Sequence, residues 1–305
     1  MVSIEKTIDI CKVLWYNTDT KEMEERKMEK SYVDYLIANR KSENTIKNYT
    51  RHIQNFLNFV NKSEKDINFS DMVAWQRSIS NLSSSSMALE INAIKSYFKY
   101  LKAAGFIDTN PAEDLVLPKV KNKVKPYCTV EIITNMINSA RSYRDKAILS
   151  LIASTGIRMS EMAQITMEQW ENMKRYGTRN ITIIGKGDKE RSIYINDMAM
   201  EAIDNYVAHK KRTEKYLFES NGGKVMDDSN LNKMIKKTAH KANIPFWENM
   251  SCHTLRAAFA TIASDKGTPV AVISSALGHA SLATTSKYIK TCQAQVNDVM
   301  SNMIF

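Results

Sequence analysis

Apolar residues recur at three- and four-residue intervals along most of this chain, the spacing of one face of an α-helix. The first 20 residues break the rule, because Ile8, Ile10, Val13, Leu14 and Trp15 suit either a strand or a short packed arm. From Lys21 to Asn39 a helix is expected, with Met28, Tyr32, Tyr35 and Leu36 apolar. Ser42 to Thr45 reads as a second helix start, followed by the stripe Ile46, Tyr49, Ile53, Phe56, Leu57 and Val60. Ser70 is expected to cap a third helix carrying Trp75 and Ile79. A fourth is predicted from about Ser85 to Ala104, with Ile91, Ile94, Phe98 and Leu101 on one side and Gly105 as its stop. Four helices with short links predict a small all-α domain over residues 21–117.

Asn110-Pro111 closes that domain. Residues 118–127 then alternate Lys119, Lys121, Lys123 and Lys125 with small or apolar residues, between Pro118 and Pro126. Proline opposes helix on both counts, ring clash and lost donor, so an extended basic linker is expected. The second domain, 128–305, is expected to hold helices over 130–140, 144–154, 198–209 and 229–241. The β-branched runs Ile181–Ile184 and Arg191–Ile195 flank Gly185-Lys186-Gly187-Asp188, which predicts a hairpin with a lysine at its exposed tip. Asp227-Asp228 reads as a loop. At the C-terminus Val296, Val299, Met300, Met303 and Ile304 fall at i, i+3, i+4, i+7 and i+8, an amphipathic helix over 294–305. The fold class expected is mainly α, with a small β-sheet in the C-terminal domain.

Charge narrows the partner. Lys and Arg number 43 against 33 Asp and Glu, a net charge of +10, which suits a polyanion and DNA first of all. Lys41, Lys47, Arg51, Lys95 and Lys99 lie between the apolar stripes of the first domain. With Lys121, Lys123 and Lys125 of the linker they suit contacts to DNA phosphates, the other reading being a solvated helix face. Cys11, Cys128, Cys252 and Cys292 form no C-x-x-C pair, so reduced thiols are expected rather than disulfides or a zinc site. No apolar run approaches the roughly 20 residues that cross a bilayer, and no signal core opens the chain. A cytoplasmic protein without membrane association is expected.

Chemistry concentrates between Ser251 and Tyr288. His253 and Arg256 are three apart in a helical pattern, so they are expected to share a face. His279 follows the turn-like Leu277-Gly278, and Tyr288 comes nine residues later. A guanidinium holds two phosphate oxygens in a planar fork. An imidazole moves protons near neutral pH. A phenol, with a pKa of about 10, attacks only when its proton is taken or offset. Together these groups predict phosphoryl transfer to a tyrosine. Upstream, Gly156 lets the chain turn sharply to present Arg158. The G-x-x-x-x-G-K-[ST] nucleotide loop is absent and no tight acidic cluster suggests two metals, so neither cofactor nor metal is expected. His52, His209 and His240 receive no role.

The order HTLR (253–256), LGH (277–279) and a tyrosine nine residues on resembles the tyrosine recombinase (phage integrase) family. TGIRMSE (155–161) and the lysine hairpin strengthen the match, which is closest in kind to mobile-element integrases or Xer-like recombinases. The resemblance implies a two-domain clamp, with a helical core-binding domain and a mixed α/β catalytic domain. It implies Arg158, Lys186, His253, Arg256, His279 and Tyr288 as the catalytic set, with Glu161 in support. It implies cleavage through a 3′-phosphotyrosyl bond with no metal or ATP. The partner implied is double-stranded DNA with inverted-repeat arms, held by a tetramer on two synapsed sites through exchange of the C-terminal helix. Accessory DNA-bending or directionality proteins belong to the same expectation. A type IB-like topoisomerase, or a catalytically idle DNA-binding accessory protein of this fold, are the alternatives.

Overall fold

The computed structural model describes residues 20–119, 128–185, 190–210, 215–220, 224–279 and 281–286. Residues 1–19, Lys121, Lys123, Lys125, Lys186, Tyr288 and the helix expected over 294–305 lie outside the described residues. The chain divides into two compact units between Lys123 and Val124.

The first unit holds α1 (Thr20–Ala38), α2 (Glu43–Val60), α3 (Phe69–Ser78) and α4 (Ser84–Ala103). Ser42 caps α2, its side chain accepting from the Thr45 amide, and the helix ends at Asn61 in the left-handed region. Ser70 does not cap α3, as its sequence position had suggested. Asn68 does: its side chain accepts from the Ser70 and Asp71 amides, and Asp71 accepts in return from the Asn68 amide at 3.1 Å. The reason is reciprocity. Asn68 has an acid three residues on to close a capping box, whereas Ser70 has Val73. Ser83 caps α4 through the Ser86 amide.

The stripes meet in an aromatic core. Phe56 lies edge-on to Trp75 and to Phe98, at 5.1 and 5.8 Å between ring centres, and Tyr32 lies edge-on to Tyr97 at 5.2 Å. Such pairs add roughly 0.5–1.5 kcal/mol each beyond the apolar area they bury. Tyr97 also donates to buried Glu64 at 2.8 Å. Burial, then the nearby Glu64 charge, pushes the Glu29 carboxyl up to about 7. Lys95 has partners in its own chain that its spacing did not suggest. Its ammonium donates to the Glu113 and Leu115 carbonyls at 2.7 and 2.9 Å, tying the chain after α4 back onto that helix. Lys41, Lys47, Arg51 and Lys99 stay exposed.

The second unit begins with α5 (Val130–Asn138), α6 (Tyr143–Thr155), α7 (Met159–Met162) and α8 (Met167–Arg175). A hairpin of β1 (Asn180–Ile184) and β2 (Glu190–Tyr194) follows, then α9 (Asp197–Ala208) and a two-residue hairpin, β3 (Glu219–Ser220) and β4 (Lys224–Val225). The unit continues through α10 (Asp228–Lys241), α11 (Cys252–Asp265), α12 (Val270–Leu277) and α13 (Leu282–Ser286). Asp227-Asp228, expected as a loop, opens α10. The Asp227 carboxylate accepts from the Asn230 amide at 2.8 Å, which answers an amide the first helical turn leaves unpaired. Among the described residues no helix is long and apolar enough to cross a membrane.

α6 is the axis of this unit. Residues 147–152 are all buried, because α9 and α11 both pack on it. Burial on every side fixes where α6 ends, and it ends at Gly156. In the β1–β2 hairpin Ile181 pairs with Ile193 and Ile183 with Arg191. Ile181, Ile183 and Ile193 are buried, so the inward face of β2 carries an arginine two residues before an isoleucine.

Asn68→Ala should lower the unfolding free energy by about 1 kcal/mol in urea titration, whereas Ser70→Ala should change it by less than ~0.5 kcal/mol. Equal losses would overturn the assignment of the cap.

Candidate active site

Two helix ends meet at Gly156. Its φ of 60° lies in the left-handed region, and a Cβ there would come 2.5 Å from Leu277 Cδ2 and 3.0 Å from Phe259 Cδ1. Both constraints call for glycine. The turn delivers Arg158 to the start of α7. Glu161 reaches back from that helix, its Oε2 accepting from the Arg158 amide at 2.9 Å and its Oε1 from Arg158 Nη1 at 2.6 Å. The same Oε1 accepts from Arg191 Nη1 at 2.9 Å. The Glu161 side chain is 1% exposed, and a carboxylate so buried must be paired to remain charged. Two guanidiniums do this.

The other end is α12. Its last carbonyls have no acceptor role inside their own helix and sit at the negative end of its dipole. Three successive carbonyls each receive a guanidinium. Ala276 O accepts from Arg191 Nε at 3.2 Å. Leu277 O accepts from Arg256 Nη2 at 2.5 Å, and Arg256 Nη1 donates to Gly156 O, joining the two helix ends. Gly278 O accepts from Arg158 Nη2 at 2.8 Å. Exposure grades the trio: the Arg256 residue is 2% exposed, while the Arg191 and Arg158 side chains are 12% and 25% exposed. Arg158 is therefore the one with most access to an incoming group.

Gly278, at φ 63°, turns the chain off α12 and sets His279 beside the trio. His279 Nδ1 shares a hydrogen bond of 2.7 Å with Thr285 Oγ1, and Thr285 is fully buried. Burial, then Arg256, Arg158 and Arg191, pushes the imidazole down to about 4. At neutral pH it is uncharged, with one N–H to donate. Three guanidiniums against one carboxylate leave a surplus of two positive charges. A phosphodiester carries one negative charge, and attack at its phosphorus builds toward two. The cluster is matched to an anion whose charge grows. The buried thiols of Cys128 and Cys252 are pushed up to about 11 by burial and offer no thiolate.

Of the residues singled out from sequence, Arg158, Arg256, His279 and Glu161 come together. His253 keeps its spacing from Arg256 on α11, yet the imidazole is exposed while the guanidinium is buried. Lys186 and Tyr288 lie outside the described residues, as do the linker lysines. Arg191 was missed. Its signal was an arginine on the apolar face of a predicted strand, a position that demands a buried anionic partner.

Comparison with known proteins bears on the family of the chain. Residues 122–294 match the model of the phage integrase family, and residues 30–105 match the phage integrase N-terminal SAM-like domain. The chain is 27% identical over 279 residues to tyrosine recombinase XerD of Halalkalibacterium halodurans, covering 86% of this chain and 91% of that one. It is similar to the crystal structure of XerA recombinase, at 27% identity and a TM-score of 0.51, covering 92% of this chain and 99% of that one. A λ integrase fragment dimer bound to a COC′ core site shares the fold, at 14% identity and a TM-score of 0.68, with 86% and 94% covered.

The His279 ring should titrate near 4 in NMR spectra of the DNA-free protein, assigned by loss of its signal in His279→Gln. The folded value lies below the ordinary 6.5, so its contribution to stability is complete above about 6.5 and declines as pH falls toward 4. A midpoint at 6.5 would mean that the arginines do not surround it.

Proposed function

The chain belongs to the phage integrase family and is a tyrosine site-specific recombinase acting on DNA; we propose that Tyr288 is its nucleophile and that the arginine cluster holds the phosphate under attack. The observation that carries this is the convergence of Arg158, Arg191, Arg256 and neutral His279 on one helix end.

In this reading Tyr288 Oη attacks phosphorus, giving its proton to His253 or to water. The P–O bond to the 5′-oxygen breaks, and Lys186 protonates that oxygen, which otherwise leaves poorly. The products are a 3′-phosphotyrosyl bond and a free 5′-hydroxyl. A 5′-hydroxyl of another strand then attacks, and the tyrosine departs with a proton. One phosphoester is exchanged for another in each transfer, so no ATP is consumed.

Arg158 supports the central role. A guanidinium has five N–H donors, and Glu161 and Gly278 take two through its side chain, which leaves donors for non-bridging oxygens. Arg256 offers positive potential from beneath while it joins two helix ends. His279 donates one hydrogen bond, and its neutrality keeps it from repelling the cations around it. Glu161 aligns Arg158 and Arg191 and does not touch the phosphate. Stabilisation of this kind, from dipoles and charges fixed before the reaction, is the largest single term in many enzymes.

The partner is double-stranded DNA. Lys41, Lys47, Arg51 and Lys99 remain candidates for backbone contacts, with Lys121, Lys123 and Lys125 of the linker. Lys95 belongs to the same candidates, since the two carbonyls that hold its ammonium leave one of its three donors for a phosphate oxygen. We read the assembly as a tetramer on two synapsed inverted-repeat sites, exchanging residues 294–305, with accessory DNA-bending or directionality proteins as further partners. Work on DNA of this kind belongs in the cytoplasm.

On a nicked target, wild-type protein should give a covalent protein–DNA adduct on a denaturing gel, and Tyr288→Phe should give none. An adduct from that variant would overturn the assignment of the nucleophile. Arg158→Ala should slow cleavage by about 10²–10³-fold while DNA binding changes far less; losses of equal size would make Arg158 an anchor only. Binding should weaken steeply with salt, log K falling by about 0.9 per decade of salt for each phosphate neutralised. A flat response would count against phosphate tracking.

A further inference from the structure

What His279 can offer an anion depends on where one proton sits. The guanidiniums around it are donors in every state they adopt. The imidazole is uncharged at neutral pH, so it has one N–H and one bare nitrogen. Nδ1 is engaged with Thr285, which leaves Nε2, at the far end of the ring, as the atom that meets an incoming group. A protonated Nε2 attracts a phosphate oxygen, and a bare one repels it.

The backbone does not decide between these forms. The His279 amide donates to Ser274 O at 3.0 Å, and the Gly278 turn sets the direction of the stem. The outer torsion of a histidine is broad and roughly twofold, so a fixed stem still permits the ring to turn over. The Thr285 hydroxyl, 2.7 Å from Nδ1, removes that freedom.

The direction of that bond follows from what hydroxyls in these helices otherwise do. They turn back to the carbonyl four residues earlier. Thr155 donates to Leu151 O at 2.6 Å, Thr238 to Met234 O at 3.0 Å and Thr261 to Ala257 O at 2.9 Å. Ser286, beside Thr285, donates to Leu282 O at 3.1 Å. Thr285 departs from the pattern. Among the described residues its fully buried side chain has His279 as its sole hydrogen-bond partner. If Nδ1 were the donor, the hydroxyl proton would be buried without an acceptor and would carry its whole desolvation cost. If the hydroxyl donates, Nδ1 accepts, and the ring proton resides on Nε2.

We propose that Thr285 is a positioning residue: by donating to Nδ1 it keeps the proton of His279 on Nε2 and aims that N–H at a non-bridging oxygen of the phosphate. The proposal deepens the reading of His279 as a phosphate donor and rests on it. Thr285 keeps its own proton throughout and forms no bond to phosphorus. Without its hydroxyl, the ring turns over or carries its proton on Nδ1. Either change takes the donor away from the oxygen on which charge grows.

Nitrogen NMR of full-length, histidine-labelled protein reads the tautomer without DNA, because a protonated ring nitrogen resonates far from a bare one. The His279 pair is assigned by its loss in His279→Gln. In the wild type at neutral pH, Nε2 should carry the proton, and Nδ1 should be bare with the upfield displacement of a nitrogen that accepts a hydrogen bond. Thr285→Val keeps the shape and removes the hydroxyl; it should abolish that displacement, and Thr285→Ser should preserve it. A proton on Nδ1 in the wild type would overturn the proposal, and so would an unchanged spectrum in Thr285→Val. The wild-type spectrum decides even if Thr285→Val fails to fold.

The rate of adduct formation on nicked DNA is the second readout. Thr285→Val should be slowed about 10-fold, the upper range for one hydrogen bond, and Thr285→Ser should recover most of that loss. Sulfur accepts hydrogen bonds poorly, so targets with sulfur at one or the other non-bridging position separate aiming a donor from merely holding α13. The slowing by Thr285→Val should shrink on the diastereomer where the slowing by His279→Gln also shrinks, and persist on the other. Equal slowing on both by Thr285→Val alone would make Thr285 an anchor and overturn the proposal. If His279→Gln also slows both equally, the reading of His279 as a phosphate donor falls, and the aim assigned to Thr285 falls with it. An adduct in Tyr288→Phe would remove the nucleophile assignment instead and leave the spectra unaffected.

Discussion

The last carbonyls of α12 find no partners within their own helix, and three arginines supply them. This one arrangement answers two needs. It satisfies the buried Leu277 carbonyl, which would otherwise be left bare at a cost of about 1–3 kcal/mol, and engages the exposed carbonyls on either side of it. It also gathers cations that would repel one another if nothing held them. Glu161 offsets part of that repulsion from a site it shares with Arg158 and Arg191. A buried ion pair adds little net stability against a well-packed apolar substitute. The worth of this one is geometric: it sets the angle at which Arg158 leaves the backbone.

The packing beneath explains why the arrangement can be rigid. α6 is enclosed on all sides, so its end cannot drift, and Gly156 lies against Leu277 and Phe259 with no room for a methyl group. Arg256 crosses that junction to bond both helix ends. It is a poor residue to change when chemistry alone is in question, because its removal would open a cavity and strand two carbonyls. Arg158 is the cleaner probe. The first unit is held differently, by edge-on aromatic rings, by the Tyr97–Glu64 bond and by the bonds of Lys95 to its own chain.

Much of this was legible from residue order, and the remainder was not for identifiable reasons. Helical stripes such as Ile91, Ile94, Phe98 and Leu101 locate a core without any knowledge of what lies opposite. Arg158, Arg256 and His279 were found because their order and spacing match a family pattern. Arg191 escaped because strand alternation marks a face as inward but does not say that a carboxylate waits there. The partners of Lys95 escaped for the converse reason: nothing local reveals that carbonyls eighteen and twenty residues later return to it. Ser70 and Asp227 show the limit for helix starts. Several residues near a boundary can serve as caps, and the choice depends on which partner closes the exchange.

The bond between His279 and fully buried Thr285 also holds a helix in place. α13 spans only Leu282–Ser286, too few residues to be stable by its own hydrogen bonds, so it depends on contacts from outside itself. The imidazole that borders the arginines thus doubles as an anchor for the segment after the α12 turn.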